Sequence, residues 1–161
     1  KAQIFTGLVP DGVAVIPADS DWADRLIGHA RACGANVVTF GRAAGADVRL
    51  LDAIPAPGGG ALITADLGDR RICFQLAEPG EHWIINALGV IAAVRAAGGD
   101  LGSAGLALAE IGGLKGRGQR HTITLRQGGT ALLIDESYNA NPASMRATLK
   151  ALAATPARRR I

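Results

Sequence analysis

Two carboxylates, a phenol ring and two carboxamides crowd into one short run, Asp135-Glu136-Ser137-Tyr138-Asn139-Ala140-Asn141-Pro142. The residues before it, Ala131 to Ile134, are apolar and read as a strand. The residues after it carry helical spacing. The polar groups therefore stand where a strand gives way to a helix, and ligands of α/β proteins bind at the carboxyl ends of strands. Carboxylates there accept hydrogen bonds from sugar hydroxyls, and a tyrosine offers a stacking face to a base. The helix amides behind Asn141 offer partial positive charge to an anion. The same residues also suit an ordinary turn in which Asn141 only caps a helix. On local chemistry the two readings stand level.

Other chemistry is less well supported. The phosphate-loop pattern G-x-x-x-x-G-K-[ST] does not occur in residues 1–161. Gly116-Arg117-Gly118-Gln119-Arg120-His121 approaches G-x-G-x-x-G, but the third glycine is missing and a strand follows instead of a helix. Cys33 and Cys73 stand far apart with no CxxC and no Cys/His cluster, which excludes a zinc site. Cys73 lies in an apolar run and reads as a small core residue. Lys and Arg total 17 against 14 Asp and Glu, a net charge of +3. The pI near 9.3 is a mild bias. A nucleic-acid reading rests on that value and on Arg158-Arg159-Arg160 alone, so no nucleic-acid partner is expected. No run of 18 apolar residues is present, so no membrane insertion is expected, and the chain reads as cytoplasmic. Lys1 opens the chain without a methionine and Ile161 closes it abruptly, so truncation at both ends is expected.

Hydrophobic residues make up 48% of the chain but aromatics only 4%, so Ala, Val, Leu and Ile must fill the core. Val13–Ile16, Asn36–Phe40 and Asp47–Ile54 read as strands, with a helix from Asp21 to Ala32. Ala61–Ala65 and Arg70–Leu76 read as a hairpin turning at Gly68-Asp69, with Ile72 and Phe74 on one face. Ile84, Leu88, Ile91 and Val94 predict a helix from Trp83 to Ala97, and a second runs from Leu101 to Ile111. His121–Leu125 and Ala131–Ile134 read as strands about Gly128-Gly129. A last helix starts with Asn141 as cap and Pro142 as first residue, striped by Met145, Leu149 and Leu152. Strands and helices are mixed, hence an α/β fold.

A resemblance tips the balance at 135–142. Asp135 to Met145 closely resembles the signature of the UDP-N-acetylmuramoyl-tripeptide–D-alanyl-D-alanine ligases, a branch of the Mur ligase family that usually shows Asp-Asp-Ser-Tyr-Asn-Ala-Asn-Pro. Glu136 departs from it conservatively. Lys1-Ala2-Gln3-Ile4-Phe5 resembles the family's Lys-x-Glu-Ile-Phe. Pro79-Gly80-Glu81-His82-Trp83-Ile84-Ile85-Asn86-Ala87-Leu88 resembles Pro-Gly-x-His-Asn-x-x-Asn-Ala-Leu, with Trp83 in place of asparagine. Gly116-Arg117 sits where the family has Pro-Gly-Arg before a strand. The matches fall in family order along the whole chain.

The resemblance implies a mixed sheet flanked by helices, from the central ATPase domain, followed by the first strand and helix of a Rossmann-like C-terminal domain. Residues 1–118 would form the C-terminal half of the central ATP-binding domain and 119–161 the beginning of the C-terminal ligase domain. The family's phosphate loop would lie upstream of Lys1. The implied activity is ATP-dependent amide bond formation through an acyl phosphate, in peptidoglycan precursor synthesis. ATP and Mg2+ would serve the reaction, and UDP-N-acetylmuramoyl-tripeptide and D-alanyl-D-alanine would be the substrates. Lys1 matches a lysine that the family carbamylates to hold magnesium, giving it a catalytic role. His82 would line the ATP site as a second catalytic residue. Asn86 would face the adenine, Arg117 the phosphates and Asp135 the ribose, with Tyr138 and Asn139 near base and phosphate. Asp19 and Asp21 read as turn residues. Chain 1–161 alone is expected to be inactive. The rival readings are another Mur ligase, a folylpolyglutamate synthetase or a non-catalytic module. Tripeptide-forming members carry a Tyr-Ala-His-Thr-Pro type of segment instead.

Overall fold

The computed structural model describes every residue except Lys1, Gly58, Gly113, Leu114 and Asn139. A 3-10 helix, Ala2–Gly7, leads into strand β1 (Val13–Pro17), helix α1 (Ala23–Ala32) and strand β2 (Asn36–Gly41). Strands β3 (Val48–Pro55), β4 (Ala61–Asp66) and β5 (Arg71–Leu76) follow, then helices α2 (Glu81–Ala96) and α3 (Leu101–Glu110). Strands β6 (Gln119–Thr124) and β7 (Thr130–Asp135) and helix α4 (Pro142–Ala154) complete the order. The expected elements are all found, with ends shifted by a residue or two.

β1 to β5 form one sheet in sequence order. β1–β2 and β2–β3 are parallel, β3–β4 and β4–β5 antiparallel. β2 and β3 overlap only at Phe40↔Val48 and Gly41↔Arg49. That short overlap explains why no crossover helix is needed, since the chain steps sideways and continues. Asp47 fixes the step by accepting from Thr39 N and Thr39 Oγ1, both at 2.7 Å.

The first strands are covered on both faces, as parallel strands require. Ala14 and Ile16 of β1 pack with Ala30 of α1, while Val15, Val38 and Phe40 face the core under α2. The main core joins Val48, Ile63, Leu76, Leu88 and Ile91, each at most 1% exposed. Of the stripe predicted for α2, Leu88 and Ile91 are buried, Ile84 packs against the core and Val94 is only half-buried. Phe74 and Leu76 of β5 point inward, which leaves Cys73 outward and exposed. The core assignment of Cys73 is thus corrected: the apolar run hides a two-residue alternation, and Cys73 falls on its outer side.

β6 and β7 form a separate antiparallel pair. α4 begins as expected, with Asn141 accepting from Ala143 N at 3.0 Å and Ser144 N at 2.9 Å, and Ser144 Oγ closing a reciprocal capping box. Its stripe is not buried, since Met145 and Leu149 are exposed. No described helix is long and apolar enough to cross a membrane.

Candidate functional site

β7 carries its chain to Asp135, and the turn before β6 is laced to that end. Gly118 N donates to the Asp135 carbonyl at 2.9 Å, and Gly116 N to Asp135 Oδ2 at 3.1 Å. Tyr138 N returns a bond to the Gly116 carbonyl at 3.1 Å. Gly116 has φ +70, and a Cβ there would stand 2.9 Å from both Tyr138 N and Tyr138 Cβ. Only glycine allows that approach. The product is one rigid corner holding Arg117, Asp135 and Tyr138 together. The Arg117 guanidinium carbon lies 4.2 Å from the centre of the exposed Tyr138 ring, a cation–π contact.

Asp135 is ready to act as an acceptor. Its other oxygen takes a bond from Ser137 N at 3.0 Å. The Ser137 hydroxyl and amide, with lesser help from the Gly116 amide and the charge of His121, hold its carboxyl below the ordinary range against the opposing effect of burial. An ionised carboxylate at a strand end suits a ligand rich in hydroxyl donors.

The second wall is the start of α2. Its N-cap, Gly80, has φ +123 and offers no side-chain cap, so the first amides of the helix are not used by a capping side chain. His82 folds back over Gly80; a Cβ there would come within 3.0 Å of His82 Cε1. The imidazole is half-buried and tilted 41° against Trp83 at 5.7 Å. Burial lowers its pKa from 6.5, opposed by the charges of Glu136 and Glu78. Asn86 lies one turn further along α2, exposed, with no side-chain hydrogen bond among the described residues.

The structure thus brings Arg117, Asp135 and Tyr138 into one corner and sets His82 beside Glu136, the neighbour of Asp135. Asn86 shares the helix of His82 and is not bonded to the corner. Lys1 and Asn139 lie outside the described residues. Asp19 is a turn residue as read, accepting from Arg42 N at 2.7 Å and Ala43 N at 2.8 Å.

Several groups escaped the sequence reading. A cleft of about 710 Å³ opens between the start of α2 and α4, lined among others by Arg42, Glu81, His82, Arg146 and Lys150. Glu81 bridges it, 2.7 Å from Lys150 Nζ and 3.3 Å from Arg42. The Lys150 hydrogen bond and charge, then Arg42, lower the Glu81 pKa from 4.5. Arg42 follows the carboxyl end of β2, which is a ligand-facing position in such sheets and so a usable signal. Arg146 and Lys150, four residues apart on α4, were a second. A cleft of about 550 Å³ elsewhere, around Arg49 and Asp66, has those charges paired with each other at 3.3 Å and holds little spare chemistry. Among the described residues no three His, Cys, Asp or Glu side chains are placed to hold a metal.

Comparison with known proteins bears on the family and the fold. Residues 1–94 match the Mur ligase middle domain. A UDP-N-acetylmuramate–L-alanine ligase of Kineococcus radiotolerans is 34% identical over 144 residues, covering 89% of this chain and 29% of that protein. The UDP-N-acetylmuramoyl-tripeptide–D-alanyl-D-alanine ligase of Escherichia coli is 31% identical over 160 residues, 97% of this chain and 33% of that protein. The crystal structure of MurF from Acinetobacter baumannii superposes with a TM-score of 0.81 at 28% identity, over 97% of this chain and 32% of that one. The chain therefore spans about a third of the length of the curated relatives it matches. With a middle-domain match over more than half its residues and the mixed, helix-flanked sheet that goes with it, the chain belongs to the Mur ligase family.

Proposed function

We propose that this chain is part of an ATP-dependent ligase that adds D-alanyl-D-alanine to a UDP-N-acetylmuramoyl-tripeptide in peptidoglycan precursor synthesis, in the cytoplasm. The observation that carries the reading is the corner made by Gly116–Gly118 and Asp135–Tyr138, facing the start of α2. In this proposal residues 1–118 belong to the central ATP-binding domain and 119–161 begin the C-terminal ligase domain. The nucleotide lies between them. Asp135 takes the ribose hydroxyls, Tyr138 flanks the base, and Arg117 stands toward the phosphates. Asn86 faces the base from α2, and His82 lines the site at the start of the same helix. The residues fit such a ligand: Asp135 is kept ionised, and Tyr138 presents an exposed ring backed by a guanidinium. Asn139 would join them. Magnesium would neutralise phosphate charge, and its proposed ligand, carbamylated Lys1, lies outside the described residues. The work left to such a site is positioning and charge stabilisation while an amine displaces phosphate from an acyl phosphate.

A second reading, an L-alanine-adding ligase, is favoured by the 34% identity to the Kineococcus radiotolerans enzyme. The Ser137-Tyr138-Asn139-Ala140-Asn141-Pro142 run and the MurF superposition favour the first. Phosphate release by a ligase containing residues 1–161 separates them. Release with UDP-N-acetylmuramoyl-tripeptide and D-alanyl-D-alanine supports the proposal, and release only with UDP-N-acetylmuramate and L-alanine overturns it. In the same enzyme Asp135→Ala is expected to raise KM for ATP by about tenfold, the effect of losing a charge-assisted hydrogen bond.

A further inference from the structure

Glu78 is the buried charged residue of the described chain, 8% exposed. It sits in Glu78-Pro79-Gly80, the lead into α2. Gly118, the end of β7 and Thr148 and Leu152 of α4 close over it around a cavity of about 20 Å³. Glu136 reaches the same spot from the opposite side. A Cβ on Gly118 would lie 3.6 Å from Glu136 Oε1 and 3.9 Å from Glu78 Oε2. Two carboxylates from distant parts of the chain thus converge over a glycine. Neither forms an ion pair with another described residue. His82 lines the same cavity, pinned from below by Gly80.

We propose that Glu78 is a positioning residue of the nucleotide site: its carboxylate, opposite Glu136 on the small cavity that His82 lines, acts on the His82 imidazole. The inference rests on reading His82 as part of that site. The electrostatics agree in kind. Burial disfavours the imidazolium, and Glu136 and Glu78 favour it. The other charges facing the ring are accounted for. Arg120 of β6 lines the small cavity. On the cleft side stand Asp19, Arg42, Arg146 and Lys150. Glu81, next to His82 on α2, is held by Arg42 and Lys150. Glu78 and Glu136 are the carboxylates that share the small cavity with the ring. Because Glu78 comes from the α2 side and Glu136 from the β7 side, the imidazole senses whether the two walls are together.

The test follows the imidazole itself. In the 161-residue chain, NMR titration of His82, assigned against a His82→Gln variant, is compared between wild type, Glu78→Gln and Glu136→Gln. Removing either charge removes a contact that favours protonation, so the His82 midpoint is expected to fall in both variants. An unchanged midpoint in folded Glu78→Gln overturns the proposal. If Glu78→Gln does not fold, Glu136→Gln decides: a lower midpoint supports the shared cavity, an unchanged one refutes it. In a ligase containing the chain, Glu78→Gln is expected to raise KM for ATP about fivefold with kcat little changed, and Glu78→Asp to recover part of the loss. An unaltered KM refutes the positioning role. A wild-type enzyme that does not transfer D-alanyl-D-alanine overturns the proposed function and leaves the titration result standing.

Discussion

The five-stranded sheet with α1, α2 and α3 and the β6–β7 pair with α4 hold together by different means. The first buries Val48, Ile63, Leu88 and Ile91 completely. In the second, α4 has no buried residue, and Leu132, Leu133, Met145 and Leu149 are between 42% and 57% exposed. A lone two-stranded hairpin is marginal in water. What orders this region is polar: the Asn141–Ser144 capping box, the lacing of Gly116–Gly118 to Asp135–Tyr138, and Lys150 reaching across to Glu81 of α2. One wall of the proposed site is thus a rigid core product. The other is held by directional bonds.

The contrast is broken most strongly in the core. Leu88→Ala removes a fully buried side chain from α2 and is expected to cost about 3 kcal/mol, read as a lower urea midpoint. Leu149→Ala, similar in chemistry but exposed on α4, is expected to stay within about 0.5 kcal/mol. Equal costs would mean that α4 is packed as tightly as α2.

Asn141→Ala comes next. It leaves Ala143 N and Ser144 N without their acceptor and is expected to cost about 1 kcal/mol locally. Hydrogen exchange should quicken in α4 and leave β3 and β4 unaffected. Quickening throughout the sheet would show that the two regions unfold as one.

The same contrast explains what the sequence could reveal. Where burial orders the chain, apolar spacing reports it, and Ile84, Leu88 and Ile91 announced α2. Local chemistry is equally legible: Asn141-Pro142 marked the start of α4 to the residue. Cys73 misled because an apolar run does not say which residues of a strand turn inward. Met145 and Leu149 kept a helical stripe that nothing described buries. Arg117, Asp135 and Tyr138 could be named from a motif, but their union depends on Gly116 admitting Tyr138, which spacing does not disclose. Glu78 was invisible for a further reason. A glutamate before Pro-Gly reads as a solvated loop residue, and its burial arises only when the β6–β7 region and α4 close over it.

The smallest effect sharpens the contrast most, because it acts only on the contact between the two walls. Glu81 is half exposed, so its pairs with Lys150 and Arg42 are worth about 0.5 kcal/mol. Its pKa is lowered from 4.5, so its stabilising contribution is complete above 4.5 and is lost as pH falls through the depressed value. His82 has the same sign at higher pH. Its pKa is lowered from 6.5, so protonation below that value begins to favour release of the half-buried ring. Acidification should therefore loosen α4 in two stages, His82 first and Glu81 second, while the five-stranded sheet holds. Glu81→Gln should abolish the second stage and leave the first, and added salt should mimic it in wild type. Exchange of the α4 amides followed from pH 7.5 downward reads both stages, and a single transition shared with β3 and β4 would contradict the separation.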